Sequence, residues 1–194
     1  ANGNPVVIVP GNKTYLFLQT NAQLYGLNST VTIHPYSIKA LNFSNSFSLV
    51  YGFNRDPQYK NAGAEGEYLP FIPPPRWLST ISYELNTNSK AIKMITLKTD
   101  ADVNLAQNRY LGEDETETPT AAYTLWDASA NIEFNYLKNQ TLRLQVAVNN
   151  ILNTAYQSHL SRLQYFEYYT QSPNGHSGIY NMGRNICLKL IASF

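Results

Sequence analysis

Cysteine is nearly missing from this chain, charge is thin, and no long apolar run occurs. The single Cys187 excludes an intrachain disulfide and a CxxC metal site; it reads as a small strand residue. Charged residues make up 14% of the chain, about half the usual share for soluble domains. With 14 basic and 13 acidic residues the net charge is +1, which gives no overall electrostatic footprint for nucleic acid or an anionic membrane. No stretch of about 18 apolar residues exists, so no transmembrane helix is present. The opening Ala1-Asn2-Gly3-Asn4-Pro5 lacks Met and any signal-peptide pattern, and reads as a processed or excised end. The three histidines are too scattered for zinc. GxSxG, HExxH and a phosphate-cradling glycine loop are all missing. No catalytic residue, metal site or cofactor is therefore expected, and the chain does not read as an enzyme.

Aromatic side chains are abundant: 13% of residues, including 15 Tyr. Helical periodicity is weak, whereas apolar and polar residues alternate again and again. Ile186, Leu188, Leu190, Ala192 and Phe194 share one parity, against Asn185, Cys187, Lys189, Ile191 and Ser193. Leu142, Leu144, Val146 and Val148 alternate with Arg143, Gln145, Ala147 and Asn149. Trp126, Ala128, Ala130, Ile132, Phe134 and Tyr136 alternate with Asp127, Ser129, Asn131, Glu133 and Asn135. Similar patterns run over 41–54, 76–86 and 91–107, and one parity holds from Tyr15 and Phe17 to Ile33, which predicts a single strand over 13–34. That length exceeds the roughly 9–11 residues a membrane-spanning strand needs. The mean hydropathy of −0.32 fits a structure that is half lipid-facing and half wet, because the two faces cancel in the average.

The predicted connections sort by length. Those at 34–41, 86–91 and 137–141 are short, and those at 54–75, 107–121 and 156–180 are long. Strict alternation is the habit of outer-membrane barrels, with tight periplasmic turns and extended outer loops. The last strand then runs toward the periplasm, and so does the first, which places the start of the chain in an outer loop. Seven strands with one end outside do not make a complete barrel; the expectation is that an N-terminal part was cut away at an exposed loop. A strand over Val6–Val9 would make eight, but Pro5 and Pro10 bracket that run as loop.

Several motifs carry a family resemblance. Leu24-Tyr25-Gly26-Leu27 with Ile33-His34-Pro35 resembles a strand and turn of TonB-dependent outer-membrane receptors. Leu69-Pro70-Phe71-Ile72-Pro73-Pro74-Pro75-Arg76 is similar to the proline-rich descent into a strand in that family. Val148-Asn149-Asn150-Ile151-Leu152-Asn153-Thr154-Ala155-Tyr156, with Gln157 to Arg162 after it, resembles the family's NNLFD…Y segment. Gly183-Arg184-Asn185 opens the last strand, and Phe194 resembles the terminal aromatic read by barrel-assembly machinery. The details are most similar to Bacteroidota receptors. The resemblance implies that residues 1–194 are the C-terminal, porin-like segment of an all-β, antiparallel transmembrane β-barrel, about seven strands of 22, in the outer membrane of a Gram-negative bacterium. It implies active uptake of a scarce nutrient (siderophore, vitamin, glycan or peptide) energised through TonB. The implied partners are the N-terminal remainder with its plug domain, the TonB complex acting through that plug, outer-membrane lipid and a small ligand, with no nucleic acid.

Ligand contacts are expected in the outer loops, where aromatic faces and guanidinium forks gather. Arg55, Tyr59 and Tyr68 stand in the first, beside Asp56, Glu65 and Glu67; Arg109 and Tyr110 stand in the second. His159, Arg162, Tyr165, Tyr168 and Tyr169 stand in the third, beside Tyr156, His176 and Tyr180. The bland alternative is Tyr packed in an interfacial belt. Glu113, Asp114, Glu115 and Glu117 form an acidic run that matches no EF-hand spacing and reads as a solvated loop tip. Arg143, Asp127, Glu133, Lys98 and Asp102 fall on inward faces and are candidate partners for polar plug groups. Two other readings stay open here. One is a complete small barrel with a structural or adhesive role, which would close on itself. The other is a soluble carbohydrate-binding β-sandwich, in which Leu142, Leu144, Val146 and Val148 would pack on a second sheet.

Overall fold

The computed structural model describes residues 19–112, 117–136, 140–165 and 178–192. They form one antiparallel sheet of seven strands in sequence order. The strands are β1 (Ala22–Ile33), β2 (Leu41–Asn54), β3 (Arg76–Asn86), β4 (Ile92–Asn104), β5 (Tyr123–Tyr136), β6 (Gln140–Asn149) and β7 (Asn185–Ala192). Among the described residues β1 pairs only with β2 and β7 only with β6, so the sheet is open and does not close on itself.

Register assigns every side chain to a face, because residues directly opposite in a ladder point the same way. One row crosses all seven strands as Ile33, Phe43, Ile81, Thr99, Ala128, Val148 and Ile186. A row on the other face reads Thr32, Ser44, Thr80, Asp100 and Asp127. The alternation in the sequence thus becomes an apolar and a polar face. The polar face is cross-linked by short side chains: the Thr30 and Ser46 hydroxyls lie 2.9 Å apart and Thr80 Oγ1 donates to Asp100 at 2.6 Å.

Among the described residues nothing covers the apolar face. Leu97 is 51% exposed and Leu188 71%, and the one buried apolar residue among those described is Ile72. A water-soluble sandwich would bury this face against a second sheet; the described residues form a single sheet, and Val146 stands exposed on its bare side. That overturns the sandwich reading. A broad uncovered apolar sheet face is what a barrel strand turns toward hydrocarbon.

Two of the short connections are built as tight turns, and the third, 137–139, lies outside the described residues. Past Pro35, which fixes its own φ, Ile38 N donates to Pro35 O and Leu41 N to Ile38 O. In the next, Ser89 Oγ accepts from Ala91 N at 3.2 Å. The long connections run over 55–75, 105–122 and 150–184, so the alternation of lengths holds with shifted boundaries. The strand predicted over 13–34 begins at Ala22, because its partner strand ends opposite it at Asn54; residues 13–18, like the Val6–Val9 run, lie outside the described residues. β4 stops at Asn104 rather than reaching 107, since Leu105 N turns to Pro75 O. The third long loop begins at Asn150, earlier than predicted, for the reason given below.

The two faces predict opposite responses to one change. Arg at position 130, mid-strand on the apolar face, should cost about 2–4 kcal/mol, whereas Arg at its neighbour 129 should cost far less. Urea midpoints of the complete protein folded into lipid vesicles, for Ala130→Arg and Ser129→Arg, check this; equal losses would refute the facial assignment.

Candidate functional site

The third loop folds back over the polar face, and a turn closed between Asn150 and Thr154 aims it there. Asn150 and Asn153 both adopt the left-handed region, at φ 51° and 53°, which Asn tolerates better than most residues. The Asn150 side chain closes the turn from inside: Oδ1 accepts from Thr154 N at 2.8 Å and Nδ2 donates to Thr154 O at 2.9 Å. Its backbone N–H donates to the Asp127 carboxylate at 2.7 Å. The Asn-rich segment singled out in the sequence is therefore a turn, and it ends β6. One consequence is the placement of Tyr156, whose ring meets that of Tyr123 at 4.6 Å between centroids.

Beyond Tyr156 the outgoing and returning arms of the loop zip together. Ser158 N donates to Asn181 Oδ1 at 2.9 Å, Asn181 N to Tyr156 O at 3.0 Å and Ile179 N to Leu163 O at 2.8 Å. Under these arms lies a cleft of about 450 Å³, floored by Arg76, Asp102 and Asn104 and walled by Tyr123, Tyr156 and Ser158. Arg76 grips the Asp102 carboxylate with both forks, Nε at 2.7 Å and an Nη at 2.8 Å, and Asn104 Nδ2 adds a third donor at 3.1 Å. A second cavity of about 500 Å³ opens between the second and third loops, with Asn108, Thr118, Gln157 and Tyr180 on its walls. Tyr123 and Tyr156 line both, so this ring pair is the partition between them. Burial, then the Asp127 and Asp102 carboxylates, raise the Tyr156 phenol, which keeps it a neutral donor.

A buried polar clasp joins the three long loops. Glu117, 2% exposed, accepts from Phe71 N at 2.6 Å in the first loop and from Leu111 N at 3.0 Å in the second. Gln107 Nε2 donates to Ile72 O at 2.9 Å. Thr120 Oγ1 lies 2.8 Å from Nδ1 of His159, which is 1% exposed. The first loop reaches the clasp because Gly52 carries no side chain; a Cβ there would run into Ile72 and Leu69. Glu117 is thus a buried tie and not a solvated tip; Glu113, Asp114 and Glu115 lie outside the described residues.

The structure divides the sequence-predicted contact residues. His159 is inside the clasp and presents no ring edge to solvent. Arg162 stacks on Phe71, its Cζ 4.4 Å from the ring centre, and Tyr165 ends a 3-10 turn begun by Arg162. Tyr59 packs against Gly66, and Tyr110 stands beside Gly112. Arg55, Tyr68 and Arg109 belong to the other side of the sheet: Arg55 lies over Phe53, Tyr68 beside Phe53 and Arg109 over Tyr51, and both rings share the apolar face. Tyr168, Tyr169, His176 and Phe194 lie outside the described residues. Tyr123 went unnoticed in the sequence, and Arg76 drew notice only as the end of the proline-rich motif and not as a site residue. Their signal was parity, since each falls on the polar face at the end of a strand next to a long loop.

Four of the five inward charged residues singled out in the sequence are paired within the sheet, and the fifth, Asp127, accepts from the Asn150 amide instead. Glu133 accepts from Lys93 at 2.6 Å and Arg143 at 3.3 Å; Lys98 lies 2.9 Å from Asp100. Among the described residues no group of three or more His, Cys, Asp and Glu stands close enough to hold a metal ion.

Residues 2–151 match the family described as TonB dependent receptor-like, beta-barrel. No curated protein matches the chain. Among solved structures, the copper transporter OprC superposes with a TM-score of 0.63 at 15% identity, over 92% of this chain and 24% of that one. The present chain thus spans about a quarter of the length of that structure, and the likeness is one of fold.

Two measurements follow from the clasp. Glu117→Gln removes the charge and one acceptor oxygen from two buried amides, an expected loss of about 1–3 kcal/mol; amide hydrogen exchange at Phe71 and Leu111 should quicken together, and unchanged protection would count against the tie. Burial holds the His159 imidazole below its usual range, opposed in part by the Glu117 charge. The folded chain therefore resists a proton that the unfolded chain takes up near pH 6.5, so the clasp is at full strength above about pH 6.5 and weakens as pH falls from there through the depressed folded value. Exchange at the Gln164 and Ile179 amides, corrected for its intrinsic pH dependence, should rise on acidification in the native chain and stay level in His159→Gln.

Proposed function

This chain belongs to the TonB-dependent receptor-like β-barrel family, and from that premise we propose that it forms part of the wall and outer vestibule of an active-transport receptor in the outer membrane of a Gram-negative bacterium. The receptor takes up a scarce nutrient, and TonB energises it through a plug domain carried elsewhere in the polypeptide. The motifs from Leu24 to Asn185 support a C-terminal position in the barrel. Open edges at β1 and β7 support completion of the wall by further strands, since unpaired backbone groups have no partner in lipid. The paired charges of the polar face leave the lumen wall hydrated but nearly neutral, a surface along which a plug can sit without a strong electrostatic trap.

The observation that carries the reading is the cleft at the wide-loop end of the polar face, partitioned by Tyr123 and Tyr156. It combines flat aromatic faces with convergent donors and acceptors, the usual make-up of a site for a small polar ligand. Hydroxyl-rich or amide-rich nutrients, glycans or peptides, suit it better than a bare metal ion, for which the described residues offer no ligand cluster.

A strain expressing the full receptor should deplete one class of solute from a defined limiting medium faster than the deletion strain, by mass spectrometry of the medium. Tyr156→Ala should slow that depletion about tenfold or more by removing a stacked wall, and loss of TonB should abolish it. Equal depletion in all strains would sink the proposal.

A further inference from the structure

The sheet carries a second specialised patch, on its apolar side at the wide-loop end of β1 and β2. Tyr25, Tyr51 and Phe53 share the apolar parity, and Tyr68 pairs with Phe53 across an isolated bridge and therefore shares its face. Tyr25 stacks on Phe53 at 5.9 Å with 13° between planes, and meets Tyr51 at 5.7 Å. Two guanidinium groups crown this cluster: Arg109 Cζ lies 4.5 Å from the Tyr51 ring centre and Arg55 Cζ 5.2 Å from that of Phe53. Both arginines are exposed.

Depth agrees with a membrane boundary. Tyr51 lies ten residues above Leu41, the far end of β2, or about 33 Å of strand at roughly 3.3 Å per residue. At a tilt near 45° that is about 23 Å along the membrane normal, close to the roughly 25 Å height of an apolar band. Below the patch the same face continues as Leu27, Val31, Ile33 and Phe47, all exposed. Aromatic rings with cations above them therefore stand where hydrocarbon gives way to headgroups.

The cations are available. Arg55 gives Nε and one Nη to Gln23 Oε1, which leaves three of its five N–H donors. Neither Arg55 nor Arg109 forms an ion pair with a described carboxylate. The nearest first-loop acids are engaged by backbone amides: Asp56 accepts from Gln58 N at 3.2 Å and Glu67 from Gly63 N at 3.0 Å. Holding a guanidinium flat on a ring fixes its fork, and a fixed fork matches a phosphate.

The geometry points to a docking site for the phosphorylated headgroup of an anionic outer-leaflet lipid, with Arg55 and Arg109 on its phosphates and Tyr25, Tyr51 and Tyr68 against its upper acyl and sugar region. The occupant is a lipid and not a soluble anion because the patch is continuous with the lipid-facing strip below it. This rests on the reading of the apolar face as lipid-facing.

Native mass spectrometry of the full-length receptor tests it, with diphosphoryl lipid A, its dephosphorylated form and phosphatidylethanolamine as probes. The native receptor should retain diphosphoryl lipid A best. The Arg55→Gln/Arg109→Gln pair should lose about tenfold or more of that retention and keep the other two lipids unchanged. Unchanged retention of lipid A, an equal loss for all three lipids, or displacement of lipid A by matched inorganic phosphate would each overturn the site. If the glutamine pair does not fold, as judged by heat-dependent gel mobility, a salt series on the native receptor decides: retention falling between about 50 and about 500 mM salt supports the site, and a flat curve overturns it. Nitroxides at Leu27 and Phe47 separate the two failures. If they are not oxygen-accessible, the lipid-facing reading fails and takes the site with it; if they are, and lipid A retention is unmoved, only the headgroup site fails.

Discussion

Hydrocarbon offers a backbone amide nothing to bond with, and every other feature of this chain follows from that. Strands must pair laterally where they cross lipid, so the seven form neighbour-to-neighbour antiparallel hairpins, with a register shift at Ile92/Met94 in β4. A ladder forces opposite residues to share a face, and one face meets lipid. Side chains on that face are then mostly apolar, as in the row from Ile33 through Ala128 to Ile186, where the one polar member, Thr99, gives its hydroxyl to Asp127 O. Packing plays little part in this, and Ile72, where the first loop folds onto Gly52, is the one small exception.

The polar face obeys a different rule. It meets water, so its charged groups gain little from pairing in energy, yet they pair almost throughout: Arg76 with Asp102, Lys98 with Asp100, Glu133 with both Lys93 and Arg143. Mutual neutralisation leaves a wall that is wet without being strongly charged. Against this background the Tyr123–Tyr156 partition and the buried clasp stand out. Glu117, Thr120 and His159 are polar groups taken out of water, which is costly unless they are satisfied. Two backbone amides satisfy Glu117 and a hydroxyl serves one side of His159, while His159 Nε2 meets no hydrogen-bond partner among the described residues. Three loops that could otherwise drift are thereby held as one lid over the cleft, and the junction with the weakest satisfaction is the one that acid loosens.

Some of the chemistry was legible from residue order and some of it was misplaced. The Asn150 to Tyr156 segment drew notice as a motif, and its work proved to be conformational: a left-handed turn that aims a tyrosine. His159 and Arg55 drew notice as exposed ligand contacts. One is buried under another loop and the other stands on the lipid side. Glu117 reads as a solvated acid in sequence because its neighbours are acidic; its two amide donors come from Phe71 and Leu111, and the first is 46 residues away.

Residue order alone determined the strands, their two faces, the alternation of short and long connections, and through these the barrel wall. That much is local: period two needs only i and i+2 to agree, and turn residues act on their own few neighbours. Tertiary structure alone decided which loop residues meet, that Tyr123 faces Tyr156 across 33 residues, that the loops lock through a carboxylate, and that the arginines divide between a lumen side and a lipid side. Loops carry no period, so nothing in their order says which way a side chain turns; only the strands they fold against supply that direction.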